Sequence, residues 1–155
     1  MSWTIMRLSS LTDQIFIKAK RIRNIQESKQ NIIGDSQEDE FQGIINYCIM
    51  AMIIASSNTE NLDSLKLDQL KNRYGTIVKD TLDLMCRKNL DYGEVWRDMR
   101  VSSMTDIILA KLLRIKQIED NQGNTTISEG AYSNYQDILN YSIFCIIQLT
   151  ENPKL

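Results

Sequence analysis

Two lysines, two arginines and two asparagines stand where a packed helical protein would ordinarily carry leucine, and they recur in register. Lys18 lies between Ile15, Ile22 and Ile25, and Lys111 lies in the same way among Ile108, Ile115 and Ile118. Spacings of three and four put each lysine on one stripe of a helix with its isoleucines, and Arg21 and Arg114 follow one turn later. Asn46 and Asn140 sit on similar stripes, with Gln42, Ile49 and Ile53 in one case and Gln136, Ile143 and Ile147 in the other. If each helix pair packs antiparallel about its loop, Arg21 comes near the level of Asn46, with Lys18 one turn away, and Arg114 comes opposite Asn140. Cations withdrawn from water need partners. No acid shares these stripes, so two readings stand side by side. One is an anion site, with lysine as a point charge and arginine as a planar fork on a phosphate. The other is a set of internal ion pairs, to Asp13 and Asp106 or to Asp80 and Asp83, that fixes helix register.

Several further residues are shared between the two clusters. Arg7 and Arg100 precede the helices and could reach a ligand or a surface acid equally well. Trp3, Trp96, Tyr47 and Tyr141 fit packing aromatics better than base-stacking platforms. Asp91, Glu94 and Asp98 flank Trp96 as an acidic set that suits a solvated helix end more readily than a divalent ion. The chain has no histidine, which removes the commonest general base and metal ligand. No metal site is expected. Only a hydrolase reading would call for magnesium, held by carboxylates.

These clusters are positioned by a duplication. Shifted by 93, residues 3–26 match residues 96–119 at 12 of 24 positions, and shifted by 94, six positions between 42 and 53 recur between 136 and 147. The repeats are residues 3–55 and 96–149, joined by a connecting helix over residues 65–90, in one domain of 155 residues. Each repeat reads as a helix, a polar loop and a return helix. Ser10 with Asp13, and Ser103 with Asp106, have the form of a helix start with serine as N-cap. The first helices should end near residues 28 and 121, the loops span residues 29–36 and 122–128, and the return helices span 37–56 and 129–150. Gly93 should stop the connecting helix. No segment alternates with period two. The fold class is therefore all-α, about five helices in a bundle.

Composition narrows the function classes. Net charge is −2, so no general basic field argues for nucleic acid. The longest apolar run, residues 44–54, is interrupted by Asn46 and falls short of the roughly 20 residues that span a bilayer. Three cysteines without a CxxC pair fit reduced core thiols, and a cytoplasmic location is expected. The second repeat is preceded by the connecting helix, whereas the first begins near the chain start. The first repeat is thus expected to lack its leading helix and to leave an apolar groove suited to a homodimer contact.

The residues Trp3, Met6, Arg7, Ser9, Ser10, Thr12 and Asp13, the run from Ile15 to Arg23, and Ile44 to Tyr47 resemble one bacterial family. So do Asp91, Tyr92, Gly93 and Trp96, then Arg100 to Asp106, Ser128 to Gly130, and Asn134 to Tyr141. The family is nucleotide modification associated domain 1, and the resemblance covers nearly the whole chain. It implies a role around nucleotides without naming a reaction. Tandem members of the Bacteroidetes type carry a leading helix that ends in Asp-Tyr-Gly, so the resemblance implies an N-terminal segment missing here. The duplicated helical pattern also invites comparison with all-α nucleoside triphosphate pyrophosphohydrolases, but their E-x-x-E carboxylates do not occur, and Glu60 with Asp63 is the only E-x-x-D. The leading expectation is a nucleotide- or phosphate-binding protein using Lys18, Arg21, Asn46, Lys111, Arg114 and Asn140. A magnesium-dependent hydrolase using Asp91, Glu94, Asp98, Asp13 or Asp106, and a non-catalytic scaffold, are the alternatives.

Overall fold

A computed structural model of the chain describes residues 2–28, 36–121 and 127–152. Side chains of residues 2, 3 and 127–129 lie outside that description, as do most of both expected loops. Among the described residues there are five α-helices and no strand: α1 (Leu8–Ser28), α2 (Gln37–Ser57), α3 (Leu67–Tyr92), α4 (Val101–Asp120) and α5 (Ile127–Glu151). Short 3-10 turns occupy Ser2–Ile5, Leu62–Ser64 and Val95–Asp98. No described helix is long and apolar enough to cross a membrane.

Four of the helices make a bundle. α1 packs on α2 and α4, and α5 packs on α2 and α4, so the order around the core is α1, α2, α5, α4. The repeat supplies this core twice. Leu11, Ile15, Ala19 and Ile22 of α1 are buried, and so are their counterparts Met104, Ile108, Leu112 and Ile115 of α4. Phe41, Ile44, Cys48 and Ala51 of α2 correspond to Tyr135, Ile138, Ser142 and Cys145 of α5, all fully buried. Fully burying one such aliphatic chain contributes about 1.5–3 kcal/mol. Burial also raises the Cys48 thiol far above its ordinary value and pushes Cys145 up to about 12, so both behave as small apolar groups. Cys86, by contrast, is exposed.

Polar pairs set the register of α1 against α4. Thr12 donates to Glu119 at 2.6 Å, and Gln26 donates to Thr105 at 3.1 Å. Lys116 meets Asp13 at 2.9 Å, and Arg23 meets Asp106 at 3.7 Å. In each couple the two bonds exchange equivalent positions of the two repeats, which requires antiparallel helices related by an approximate two-fold axis. Asp13 and Asp106 thus pair across this interface, and Asp80 and Asp83, the other expected partners, lie on α3 (Leu67–Tyr92) beside Cys86 and Arg87.

The helix starts differ from expectation. α1 and α4 begin at Leu8 and Val101, and the Arg7 and Arg100 carbonyls accept the first helical bonds, from Leu11 and Met104. Ser10 and Ser103 are therefore inside the first turn, not at the cap, and α4 has no side-chain cap bond. Serine in a first turn still helps, because the amides there lack helical partners. α2 does carry a capping box between Ser36 and Asp39. α3 runs on to Tyr92 and stops at Gly93, whose φ of +66° is the left-handed backbone that favours glycine.

α3 contributes few side chains to the core. Ile77, Thr81 and Met85 are its buried residues. It lies along α2 and α5, and Gln136 donates to Thr81 at 3.4 Å. The flank of the first repeat expected to be an empty groove is thus lined by the N-terminal half of this connecting helix.

Candidate functional site

Each repeat presents a cavity beneath α3, and the two are built from equivalent positions. The first is lined by Lys18, Gly43, Asn46, Tyr47 and Met50, and the second by Lys111, Asp137, Asn140, Tyr141 and Phe144. α3 roofs both. Leu67, Leu70, Lys71 and Tyr74 cover the first, whereas Met85, Lys88, Asn89 and Tyr92 cover the second. These α3 residues pair about the middle of the helix: 74 with 85, 71 with 88, 70 with 89 and 67 with 92.

The cavities have diverged in chemistry. The first, about 690 Å³, is walled by Met50, Ile53, Leu62, Leu67 and Leu70. Lys18 lies flat across Gly43, so close that an added Cβ there would meet its Cε at 2.6 Å. It reaches Glu40 at 3.4 Å, and Arg21 reaches the other oxygen of Glu40 at 2.7 Å. Both cations are 27% exposed, while the Glu40 carboxylate is 4% exposed. Glu40 is thus the buried keystone of the first cluster. Asn46 is exposed at the cavity, and Lys18, not Arg21, shares its level.

The second cavity, about 410 Å³, is more polar. Asp137 stands where the first repeat has Gly43, and it takes Lys111 on one oxygen at 2.9 Å and Lys88 on the other at 3.1 Å. Asn140 is 5% exposed, lines the cavity, and its Oδ1 has no hydrogen-bond partner among the described residues. The buried Trp96 Nε1 is equally unpartnered. Trp96 is held by Gln148, which donates to its carbonyl and to that of Met99. Its ring stacks on Phe144 at 4.4 Å with 5° between planes, and the Arg97 guanidinium sits 4.4 Å from its centroid. Tyr141 meets Phe144 edge-on.

Not every expected residue joins these cavities. Arg114 is exposed and lines neither, as are Arg7 and Arg100. The expected level was off by one turn: Lys111, not Arg114, stands beside Asn140. Tyr47 lines the first cavity, with the Lys18 ammonium 6.0 Å from its ring. Asp91 and Asp98 are exposed, and Glu94 pairs with Arg97. Among the described residues no three acids or cysteines converge closely enough to hold a metal ion.

The acids that complete the clusters occur in one repeat each. Glu40 corresponds to Asn134, and Asp137 to Gly43. The available signal was helical spacing, since Asp137 precedes Asn140 by three residues on one stripe.

Elsewhere one polar group is strained by burial. Glu119 accepts from Thr12 and lies 3.3 Å from the Tyr135 hydroxyl, which is itself 2.5 Å from Thr12. Burial raises the Glu119 carboxyl above the ordinary range despite these donors, and burial also raises Tyr135.

No curated protein and no solved structure matches the chain. One family model does, over residues 1–54 and 88–149, one segment on each repeat. These segments hold α1 with most of α2, and the end of α3 with α4 and most of α5, together well over half of the chain. The chain belongs to the family described as nucleotide modification associated domain 1.

Proposed function

We propose that the protein binds a nucleotide or a related phosphate-bearing ligand in the cavity of the second repeat. The observation that carries this reading is the convergence of two lysines, Lys88 and Lys111, on a single carboxylate beside a cavity with unpartnered buried polar atoms. One aspartate neutralises only one of the two ammonium groups. A phosphate at the cavity mouth would find the remaining charge and up to four N–H donors not already given to Asp137. The family description, which associates the domain with nucleotide modification, supports the same ligand class. Asn140, Tyr141 and Trp96 line the same cavity.

The first repeat supports the reading less well. Its two seam cations are drawn onto the buried Glu40, and its cavity is largely apolar. Lys18 and Arg21 are therefore structural in this proposal, Asn46 lies exposed at the first cavity, and Arg7, Arg100 and Arg114 stand outside the site. Buried reduced cysteines accord with a cytoplasmic location.

Titration calorimetry with the four deoxynucleoside monophosphates tests the proposal. Binding by the unaltered protein, weakened at least tenfold in Lys88→Met plus Lys111→Met, is the expected outcome. Absence of binding to the unaltered protein, or equal binding by the double variant, would overturn it.

A further inference from the structure

We infer that the second cavity reads a nucleobase by its edge, with Asn140 Oδ1 accepting, Trp96 Nε1 donating and Tyr92 stacking on the ring. This rests on the nucleotide reading and adds what the base contacts are. An unpartnered buried donor or acceptor costs about 1–3 kcal/mol, and native proteins retain few of them. Three buried side-chain atoms lack partners among the described residues, and two of the three belong to residues lining this one cavity. The third, on Ser57, belongs to neither cavity lining.

The two atoms are complementary in kind. A ligand that satisfies both must offer a donor and an acceptor. Nucleobase edges present that pairing, whereas a sugar phosphate has no such planar edge. The aromatic arrangement fixes the mode of contact. Trp96 has Phe144 stacked on its ring and the Arg97 guanidinium 4.4 Å from its centroid, so its ring is engaged and its unpartnered N–H is the group left for a ligand. Phe144 is committed to Trp96, and Tyr141 lies edge-on against Phe144. Tyr92 is the lining aromatic that stays 75% exposed. Gly93 ends the helix directly after it, at the cavity wall. A cavity of about 410 Å³ falls within the size range of ordinary small-molecule sites. The first repeat lacks this device, because Asn46 is exposed and already meets water.

The rival occupant is a buried water, which can satisfy a donor and an acceptor together. Calorimetry on the full chain separates the cases, with the deoxynucleoside monophosphates, 2-deoxyribose 5-phosphate and free deoxynucleosides as probes. At least one monophosphate should bind tenfold or more tightly than 2-deoxyribose 5-phosphate. Asn140→Leu should erase that preference while leaving the sugar phosphate affinity unchanged. Tyr92→Ala, an exposed change that leaves the core intact, should lower monophosphate affinity at least threefold and spare the sugar phosphate. If 2-deoxyribose 5-phosphate matches every monophosphate, the edge reading is overturned and phosphate binding survives. A deoxynucleoside that binds as tightly as its monophosphate supports the edge reading and removes the role of the lysines. No binding by any probe overturns both.

Discussion

Glu40 and Asp137 show how one carboxylate can decide the fate of a cation pair. Glu40 is sealed under Lys18 and Arg21, so its removal leaves two half-buried charges with no acid between them. Losing one partner of a fully buried pair costs 3–5 kcal/mol, and the partial exposure of the cations reduces that. Glu40→Ala should therefore lower unfolding stability by about 1–3 kcal/mol in urea titration. Asp137 is more open, and its loss should matter less to stability. It should matter more to the ligand, because Asp137 competes with an incoming phosphate for Lys88 and Lys111. Asp137→Asn should tighten monophosphate binding about threefold or more at low salt, an effect that fades as ionic strength rises. The lysines and asparagines of these clusters were legible from their recurrence, but the two acids were not. Each acid occurs in one repeat only, so the duplication does not mark it.

At the scale of helices, the interface of α1 with α4 carries a pH dependence. Glu119 has a carboxyl raised by burial, so the folded state holds its proton to higher pH than the unfolded chain does. Its contribution is fully present below the ordinary carboxylate range and is lost as pH rises through the raised value. Glu119→Gln, which installs the amide that Gln26 provides at the equivalent position, should flatten that part of the stability profile between acid and neutral pH. Melting curves at several pH values would show it. α3 offers a simpler test. Gly75 lies mid-helix with nothing near where a Cβ would stand. Gly75→Ala should raise stability by about 0.5–1 kcal/mol, read from the denaturation midpoint. The helices themselves were legible to within two residues at nearly every described end. The starts of α1 and α4 were misplaced because Ser10 and Ser103 have the composition of a cap, while the backbone turns in three residues earlier, at Arg7 and Arg100.

For the molecule as a whole, the duplication suggests two ligand sites, and the chemistry of the cavities argues for one. Saturating calorimetry with the tightest monophosphate should return one equivalent per chain, and two equivalents would show that the apolar cavity also serves. The four-helix core followed from sequence because its apolar positions repeat in both halves. The roof over the cavities did not, because the α3 residues that line them pair about the centre of a single helix. Their spacing is a reflection within one segment, invisible to a search for repeats at a fixed shift.

That roof has a consequence for how such a protein can exist. A peptide helix has direction, so one helix laid across an approximate two-fold axis presents its amino end to one side and its carboxyl end to the other. A single helix so placed cannot offer the two cavities the same residues. Fusion imposes unequal neighbours on the two halves from the outset: leucines over one cavity, lysine and asparagine over the other. Each half is then free to drift toward the surroundings that its own end of the helix provides.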